Sequence, residues 1–166
     1  MNFDFRIRTE LRGPLFQGGV ETLRANVREG VERLASFAEE EVLRQIDRAK
    51  PYPPVFTGTF RGSVAKSVNL GPGNEIRATV GSPVEYGPVI EKGRRPGRFP
   101  PLAPLRVWAR AKLGDERLAF VVARKIARKG TAPRPVFHNA AAAVEERVEA
   151  VFDDVLLKGL GEGPAE

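Results

Sequence analysis

The residues of this sequence that could carry chemistry are a single histidine, His138, and two glutamates, Glu85 and Glu91. A nucleophile–histidine–acid set would have to use His138, but no Gly-x-Ser-x-Gly elbow presents a serine to it. Paired carboxylates can act as general acid and base, yet the arginines that begin at Arg94 favour ion pairing for these glutamates. We therefore interpret His138 as a structural residue near a helix end, and we expect no catalytic site.

Metal, thiol and phosphate-loop chemistry are not indicated either. The sequence contains no cysteine, which excludes disulfides, thiolate nucleophiles and cysteine-ligated metals. A metal site would need several carboxylates beside the one histidine, and no such cluster occurs along the chain. No Gly-Lys-Ser/Thr phosphate loop is present. We expect Gly58 to allow the chain to turn and not to form part of an anion-binding site. We therefore expect no cofactor and no bound metal.

Positive charge is concentrated in the middle of the chain. Residues 94–134 hold twelve Lys or Arg and two acidic residues, a local charge of +10, whereas residues 135–166 sum to −5. A chain with this distribution could bind nucleic-acid phosphate, or it could dock head to tail onto copies of itself.

Four basic residues recur at the spacing of one helix face and form a candidate patch for DNA or for an acidic partner: Arg124, Lys125, Arg128 and Lys129. The aromatic residues Phe99 and Trp108 are single rather than interleaved with the basic ones, unlike a single-strand binding surface. No helix-turn-helix, zinc-finger or RNP pattern occurs. Protein contacts or solvated surface are therefore favoured over a DNA-facing patch.

The apolar pattern of the first half predicts one strand, one long helix and a meander. Residues 3–7 alternate between apolar and charged types, which indicates a short strand with one buried face. Residues 20–50 repeat apolar side chains at helical spacing, which predicts an amphipathic helix that Pro51 ends; a glycine inside it marks a bend or close packing. Residues 59–91 predict three short strands separated by turns, and the third strand covers residues 84–90.

The second half predicts an arm and three helices. Residues 92–104 are so rich in proline and glycine that we expect an extended arm. Two helices are predicted, over residues 105–113 and 115–129. Gly114 is expected to end the first, and Asp115 is expected to cap the second. After a Gly/Pro break, a last helix is predicted from Asn139, or from the residues just before it, to about Leu157, followed by a tail, 159–166, that we expect to be frayed.

Together these elements predict a single α+β domain over residues 1–166. Its small antiparallel sheet of about three to four strands is expected to pack against one long N-terminal helix and two to three C-terminal helices. No apolar run approaches the roughly 18–20 residues needed to cross a bilayer, so no membrane partner is expected. The charged N-terminus argues against a secretory signal.

Three stretches occur in an order that is more specific than any one of them. Residues 54–63 have the form P-x-x-TG-x-[LF]-R-x-S, residues 86–93 the form Y-x-x-x-[IV]-E-x-G, and residues 130–137 the form G-T-x-P-x-P-[FV]-F. With the flanking helices, this order covers roughly residues 20–157. It resembles the tail-completion (neck, head–tail joining) proteins of long-tailed bacteriophages, of the lambdoid minor-tail-component type.

The resemblance implies a non-enzymatic virion subunit, assembled in the host cytoplasm, that forms a ring, commonly a hexamer, at the head-proximal end of the tail. Such a ring joins the tail tube or tail terminator protein to the head connector and surrounds the DNA channel; non-specific contact of the basic residues with DNA in that channel is left as an open alternative. The resemblance does not separate tail completion from the roles of tail terminator or head–tail stopper. This chain departs from the family in its Arg/Pro insert at 94–104 and in its strand-like N-terminus.

The arm at 92–104 is the segment that we expect to contact neighbouring subunits. A ring needs heterologous contacts, and proline restricts the arm beforehand, so ordering it on a neighbour costs little entropy. The residues predicted to make these contacts are Arg94, Arg95, Arg98, Phe99, Arg106 and Trp108. A free, non-specific DNA-binding protein is the alternative hypothesis, and a hydrolase that uses His138 is a remote third.

Overall fold

The computed structural model describes residues 2–7, 20–49, 57–72 and 75–161. In these ranges the chain is α+β, as predicted, with an antiparallel sheet, a long N-terminal helix and several C-terminal helices. The strands are β1 (Asn2–Ile7), β2 (Ala65–Leu70) and β3 (Ile76–Gly81). The helices are α1 (Val20–Arg48), α2 (Thr59–Gly62), α3 (Gly87–Lys92), α4 (Leu102–Leu113), α5 (Leu118–Lys129), α6 (Val136–Glu145) and α7 (Val148–Gly161).

Helix α1 is the element around which the rest of the fold packs. Its 29 residues correspond to a rod of about 43 Å. The buried side chains recur every three or four residues: Val27, Val31, Leu34, Ala38, Val42 and Ile46. Gly30 lies against α7, where a Cβ would approach the Phe152 ring to 3.2 Å. The predicted helix is therefore confirmed, and its glycine marks close packing; Pro51 lies outside the described residues.

The sheet is antiparallel, with β3 at its centre and β1 and β2 as its edges. Gly81 of β3 pairs with Asn2 and with Ala65, which sets the register on both sides. Burial alternates strictly along β3, and the buried side chains pack against α1. Strand β1 confirms the predicted N-terminal strand, although the positions of its side chains lie outside the description.

The predicted third strand of the meander, 84–90, is wrong. The chain forms one turn there, in which the Gly87 N–H donates to the Val84 carbonyl oxygen (3.0 Å), and then α3, with Pro88 in the first turn of the helix. Proline cannot donate a ladder hydrogen bond, but its fixed φ suits the start of a helix, where the N–H would have no partner. The region therefore contributes a two-stranded hairpin, which is fewer strands than predicted for it, and the third neighbour in the sheet comes from the N-terminus.

The last predicted helix, 139–157, is two helices. It begins at Val136, among the residues just before Asn139, and breaks at Glu146 and Arg147, so α4 to α7 exceed the two to three C-terminal helices predicted. Both residues at the break are good helix formers, and the guanidinium carbon of Arg147 lies 4.1 Å from the centre of the Phe37 ring. Tertiary packing therefore accompanies the break. Helix α7 continues to Gly161, so the first part of the predicted frayed tail is helical, and residues 162–166 lie outside the description.

Candidate functional site

The three stretches that carry the family resemblance meet at one place, where two buried rings form a cluster with a third ring that is 45% exposed, Tyr86. Each supplies an aromatic ring: Phe60 from the first, Tyr86 from the second and Phe137 from the third. The ring centre of Phe60 lies 6.2 Å from that of Tyr86 and 6.3 Å from that of Phe137, the latter in an edge-to-face arrangement. Phe60 and Phe137 are the largest fully buried side chains of the described chain. We call this meeting point the junction.

Glu91 ties the second stretch to the third. Its side chain is buried, and its carboxylate accepts hydrogen bonds from the backbone N–H groups of Phe137 (3.1 Å) and His138 (2.9 Å). These groups belong to the first turn of α6, whose N-cap residue Pro135 offers no side-chain acceptor. Glu91 therefore supplies both the hydrogen bonds and the negative charge that a helix N-terminus favours.

The predicted ion pairing of Glu91 with the arginines after it is wrong. The carboxylate turns inward to the start of α6, because two buried N–H groups there need an acceptor. Glu85 is exposed, as is the side chain of His138 in the first turn of α6. Glu91 is therefore held at the start of α6 by the N–H groups of Phe137 and His138, whereas the Glu85 side chain lies at the surface.

Two glycines close the junction on its outer side. Arg94 and Thr131 exchange backbone hydrogen bonds of 3.0 and 2.9 Å, which form a single antiparallel bridge. Gly93 and Gly130, one on each strand of this bridge, both have φ +70°. A Cβ on Gly93 would lie 2.4 Å from the Thr131 carbonyl oxygen, and one on Gly130 would lie 2.0 Å from that of Arg94. No side chain fits at either position, which explains why both stretches carry a glycine there.

The segment predicted as an extended arm, 92–104, packs against helix α5. The Gly97 N–H donates to the Ala127 carbonyl oxygen (2.7 Å), and the rings of Phe99 and Phe120 are 5.6 Å apart. The last turn of a helix leaves its carbonyl groups without partners, and this segment supplies one for α5. Its first residue ends α3 and its last three belong to α4, so we call residues 93–101 the strap.

Helices α4 and α5 form a hairpin beside the main core. Their buried residues are alanines, Ala109, Ala119 and Ala123, and the two hydrophobic core clusters described include no residue of either helix. Gly114 ends α4 with φ +77°, and the Asp115 carboxylate accepts a hydrogen bond from the Arg117 N–H (2.8 Å) before α5 starts. Both predicted helices form, but α4 begins earlier than predicted, at Leu102, and α5 later, at Leu118, with Arg117 and not Asp115 at its N-cap position.

All ten residues predicted to make partner contacts or to form the basic patch lie on the hairpin or on the strap. Side chains are exposed at Arg95, Arg98, Phe99 and Arg106, whereas Arg94 and Trp108 are half-buried. The four basic residues predicted on one helix are all exposed on α5: Arg124, Lys125, Arg128 and Lys129. Large apolar side chains stand among them, including Val107 (61% exposed), Phe120 (55%) and Val121 (61%). The hairpin is therefore a surface that combines positive charge with apolar area.

Sequence reasoning missed Arg117 and Val121. They precede Arg124 and Arg128 by helical intervals, so the whole set 117, 121, 124, 125 and 128 shares one face of α5. It also missed Glu91 as a helix cap, although Pro135 at the start of α6 signals a helix whose cap must come from elsewhere.

Four arginines of α1 are paired with carboxylates of the chain, unlike the basic residues of α5. Each arginine of α1 in the following pairs meets a carboxylate three or four residues away: Arg24–Glu21, Arg28–Glu32, Arg33–Glu29 and Arg44–Glu40. Arg33 also binds Asp154 of α7 (2.7 Å), and hydrogen bonds to Asp154 and then Glu29 raise the pKa of its guanidinium. Among the described residues, the four basic residues of α5 make no ion pair.

Comparison with known proteins finds no matching family model, no matching curated protein and no matching solved structure. Within the described residues, no group of three or more histidine and acidic side chains is placed to hold a metal ion. None of the helices described is both long enough and apolar enough to span a membrane.

Proposed function

We propose that this protein is a structural, non-enzymatic subunit of a tailed-bacteriophage neck. It forms an oligomeric ring, a hexamer in our proposal, at the head-proximal end of the tail, and it joins the tail tube to the head connector around the DNA channel. The observation that carries the proposal is the junction, where three stretches far apart in sequence make one set of contacts. Because the junction specifies a fold rather than a turn, it gives the resemblance a structural basis.

The hairpin and the strap supply the surface for assembly in this proposal. A subunit of a ring must offer one surface to the next copy and others to the proteins above and below it. Exposed apolar side chains beside unpaired positive charge are typical of a protein-binding surface. Val107 and Phe120 provide such area, and Arg95, Arg98 and Arg106 surround it with charge. Arg94 and Trp108 are half-buried within the same region, where they support the surface rather than extend from it.

The neighbouring roles of tail terminator and head–tail stopper belong to the same proposal, since all three are rings on the DNA path. A free, non-specific DNA-binding protein is the second candidate, and the exposed basic residues of α5 are the observation that favours it. The two differ in assembly and in salt response. A neck subunit is expected to form a defined ring and to bind DNA weakly, whereas a DNA-binding protein binds tightly as a small oligomer with a steep salt dependence.

The test is to disrupt the gene in the phage that encodes it and to image the lysate by electron microscopy. We expect DNA-filled heads and finished tails that remain separate, and joined particles when the wild-type protein is supplied in trans. His138→Ala is the matched control, because its backbone N–H still reaches Glu91 and a structural role leaves joining unchanged. Joined, infectious particles without the protein would refute the proposal, and loss of joining in His138→Ala would favour a chemical role.

A further inference from the structure

Two faces of opposite charge remain uncompensated in the described chain. The first, the basic face, consists of Arg117 at the N-cap of α5 and of Arg124, Lys125 and Arg128 on α5, with Val121 among them. The second, the acidic face, spans the break between α6 and α7 and consists of Glu145, Glu146, Glu149 and Asp153. All eight charged side chains are exposed, and within the described residues none of them forms an ion pair.

Most charged side chains of α1 are ion-paired, unlike those of the two faces. Where acidic and basic residues share an element, as on α1, they pair with each other, and Arg61 and Lys66 pair with Asp47 and Glu39 of α1. The basic and acidic faces belong to different parts of the molecule, because α5 packs against α4 whereas α6 and α7 pack against α1. Like charges within one face repel each other and destabilise the subunit slightly. Two faces of opposite charge therefore indicate contacts outside the subunit.

The two faces carry the same number of charges. Eleven helical steps separate Arg117 from Arg128, which is about 16 Å at 1.5 Å per residue; on α7, Glu149 and Asp153 lie about one helical turn apart, and Glu145 and Glu146 stand at the break just before it. Arg124 and Arg128 are four residues apart on α5, as Glu149 and Asp153 are on α7, so these two pairs can lie along each other with opposite charges in register. Val121 in the basic face and Ala150 in the acidic face, both exposed, supply apolar contact between the charges.

We propose that the basic face of one copy of this chain binds the acidic face of the next copy. Such a contact is heterologous, so it repeats head to tail and closes into a ring when the rotation between copies divides a full turn. The exposed Val121, at 61%, favours a protein partner over phosphate, which offers nothing apolar to cover it. The place of this ring in a phage neck rests on the proposed function, but the contact itself belongs to the isolated protein.

Charge reversal tests the contact in the purified full-length chain. One variant reverses the basic face (Arg124→Glu with Arg128→Glu) and a second reverses the acidic face (Glu149→Lys with Asp153→Lys). We expect each alone to weaken self-association on the order of a hundredfold, because like charges then face each other. The control reverses Arg48 of α1 and Lys66 of β2 to Glu, which changes net charge equally at exposed positions outside both faces, the hairpin and the strap, and leaves assembly intact. Circular dichroism establishes that every variant is folded.

Mixing the two reversed variants is the decisive measurement. In a mixture each reversed face meets its reversed counterpart and each native face its native one, so rings reappear by sedimentation velocity with the two variants alternating, which requires an even number of subunits. Recovery on mixing, and not in either variant alone, supports the contact. A monomeric wild-type protein, or rings that survive both reversals, overturns it.

The same variants separate this contact from DNA binding and from the proposed function. If basic-face reversal abolishes binding to a fluorescent 30-base-pair duplex but leaves self-association unchanged, the face serves DNA and the contact is refuted. If rings survive both reversals and disruption of the gene still yields unjoined heads and tails, the neck function stands and only this contact fails. If the contact is verified but heads and tails join without the protein, the neck function fails alone.

Discussion

Gly130→Ala is the substitution that most directly tests the account of the junction. At φ +70° and ψ −162° the backbone of Gly130 lies in a region that is essentially restricted to glycine, and strain there costs about 1–3 kcal/mol. The added Cβ would also lie 2.0 Å from the Arg94 carbonyl oxygen. Ordinary contact needs more than 3 Å, so that carbonyl must move by about 1 Å, and the two hydrogen bonds of the Arg94–Thr131 bridge contribute about 0.5–1.5 kcal/mol each.

The sum of these costs is about 2–6 kcal/mol if the bridge opens, which lowers the melting temperature by roughly 4–24 °C for a chain of this size. Two glycines serve as matched controls. Gly114 has φ +77° but open space around it, so Gly114→Ala should cost about 1 kcal/mol. Gly62 has neither a positive φ nor a close neighbour, so Gly62→Ala should lie within about 0.5 kcal/mol of the wild type.

The assay combines urea unfolding, which gives the free energy of unfolding, with amide hydrogen exchange at Thr131. Exchange is needed because the bridge can open locally while the main core stays folded, and a global midpoint would then underestimate the damage. We expect the order Gly62→Ala, Gly114→Ala, Gly130→Ala in increasing cost, with fast exchange at Thr131 only in the last. If Gly130→Ala matches Gly62→Ala in both measurements, the steric argument for the junction is wrong.

Three further changes probe the junction and the hairpin. Glu91→Ala leaves two N–H groups of α6 without an acceptor and should cost about 2–5 kcal/mol in urea unfolding, whereas Glu85→Ala at an exposed site should cost almost nothing. Phe60→Ala opens a cavity in the main core and should cost about 3–5 kcal/mol, whereas exposed Phe99→Ala should cost much less. Replacing residues 95–130 by a short glycine turn should leave the rest folded, with reduced helix content by circular dichroism and no rings, because the bridge holds the two cut ends together.

Each of these predictions has an outcome that contradicts it. Equal stability for the two glutamate variants would mean that α6 does not depend on its distant cap. Equal stability for the two phenylalanine variants would place the main core elsewhere. An unfolded product after removal of 95–130 would show that the hairpin is part of the core and not an element attached to it.

The sequence predicts those elements whose apolar residues keep one period over many residues. Helix α1 is fully evident because its buried stripe runs for several turns, and the two hairpin helices are evident because Gly114 separates them. Short elements are ambiguous, since the apolar residues of 84–90 fit a strand as well as the helix that forms. The break after α6 has no local signal, because Glu146 and Arg147 favour helix and packing against α1 accompanies the break.

For the candidate site, too, local geometry could be predicted from the sequence, whereas contacts between distant segments could not. Helical spacing is enough to place the basic residues of α5 on one exposed face, because that inference needs only local geometry. The role of Glu91 needs the distance between α3 and α6, which depends on the whole fold, so residue type and neighbours led to the wrong partner. The arm shows the same failure: proline and glycine predict the absence of regular structure, but not the carbonyl groups of α5 to which the segment binds.

The distance in sequence between Glu91 and the start of α6 has a consequence for folding kinetics. Helix α1 and the α4–α5 hairpin rest on local contacts, which form within microseconds. The first turn of α6 acquires its cap only when α3 arrives from the other side of the hairpin, so the loop between them must close first. We therefore expect the aromatic rings and the Glu91 cap to form late, and substitutions there to speed unfolding more than they slow folding.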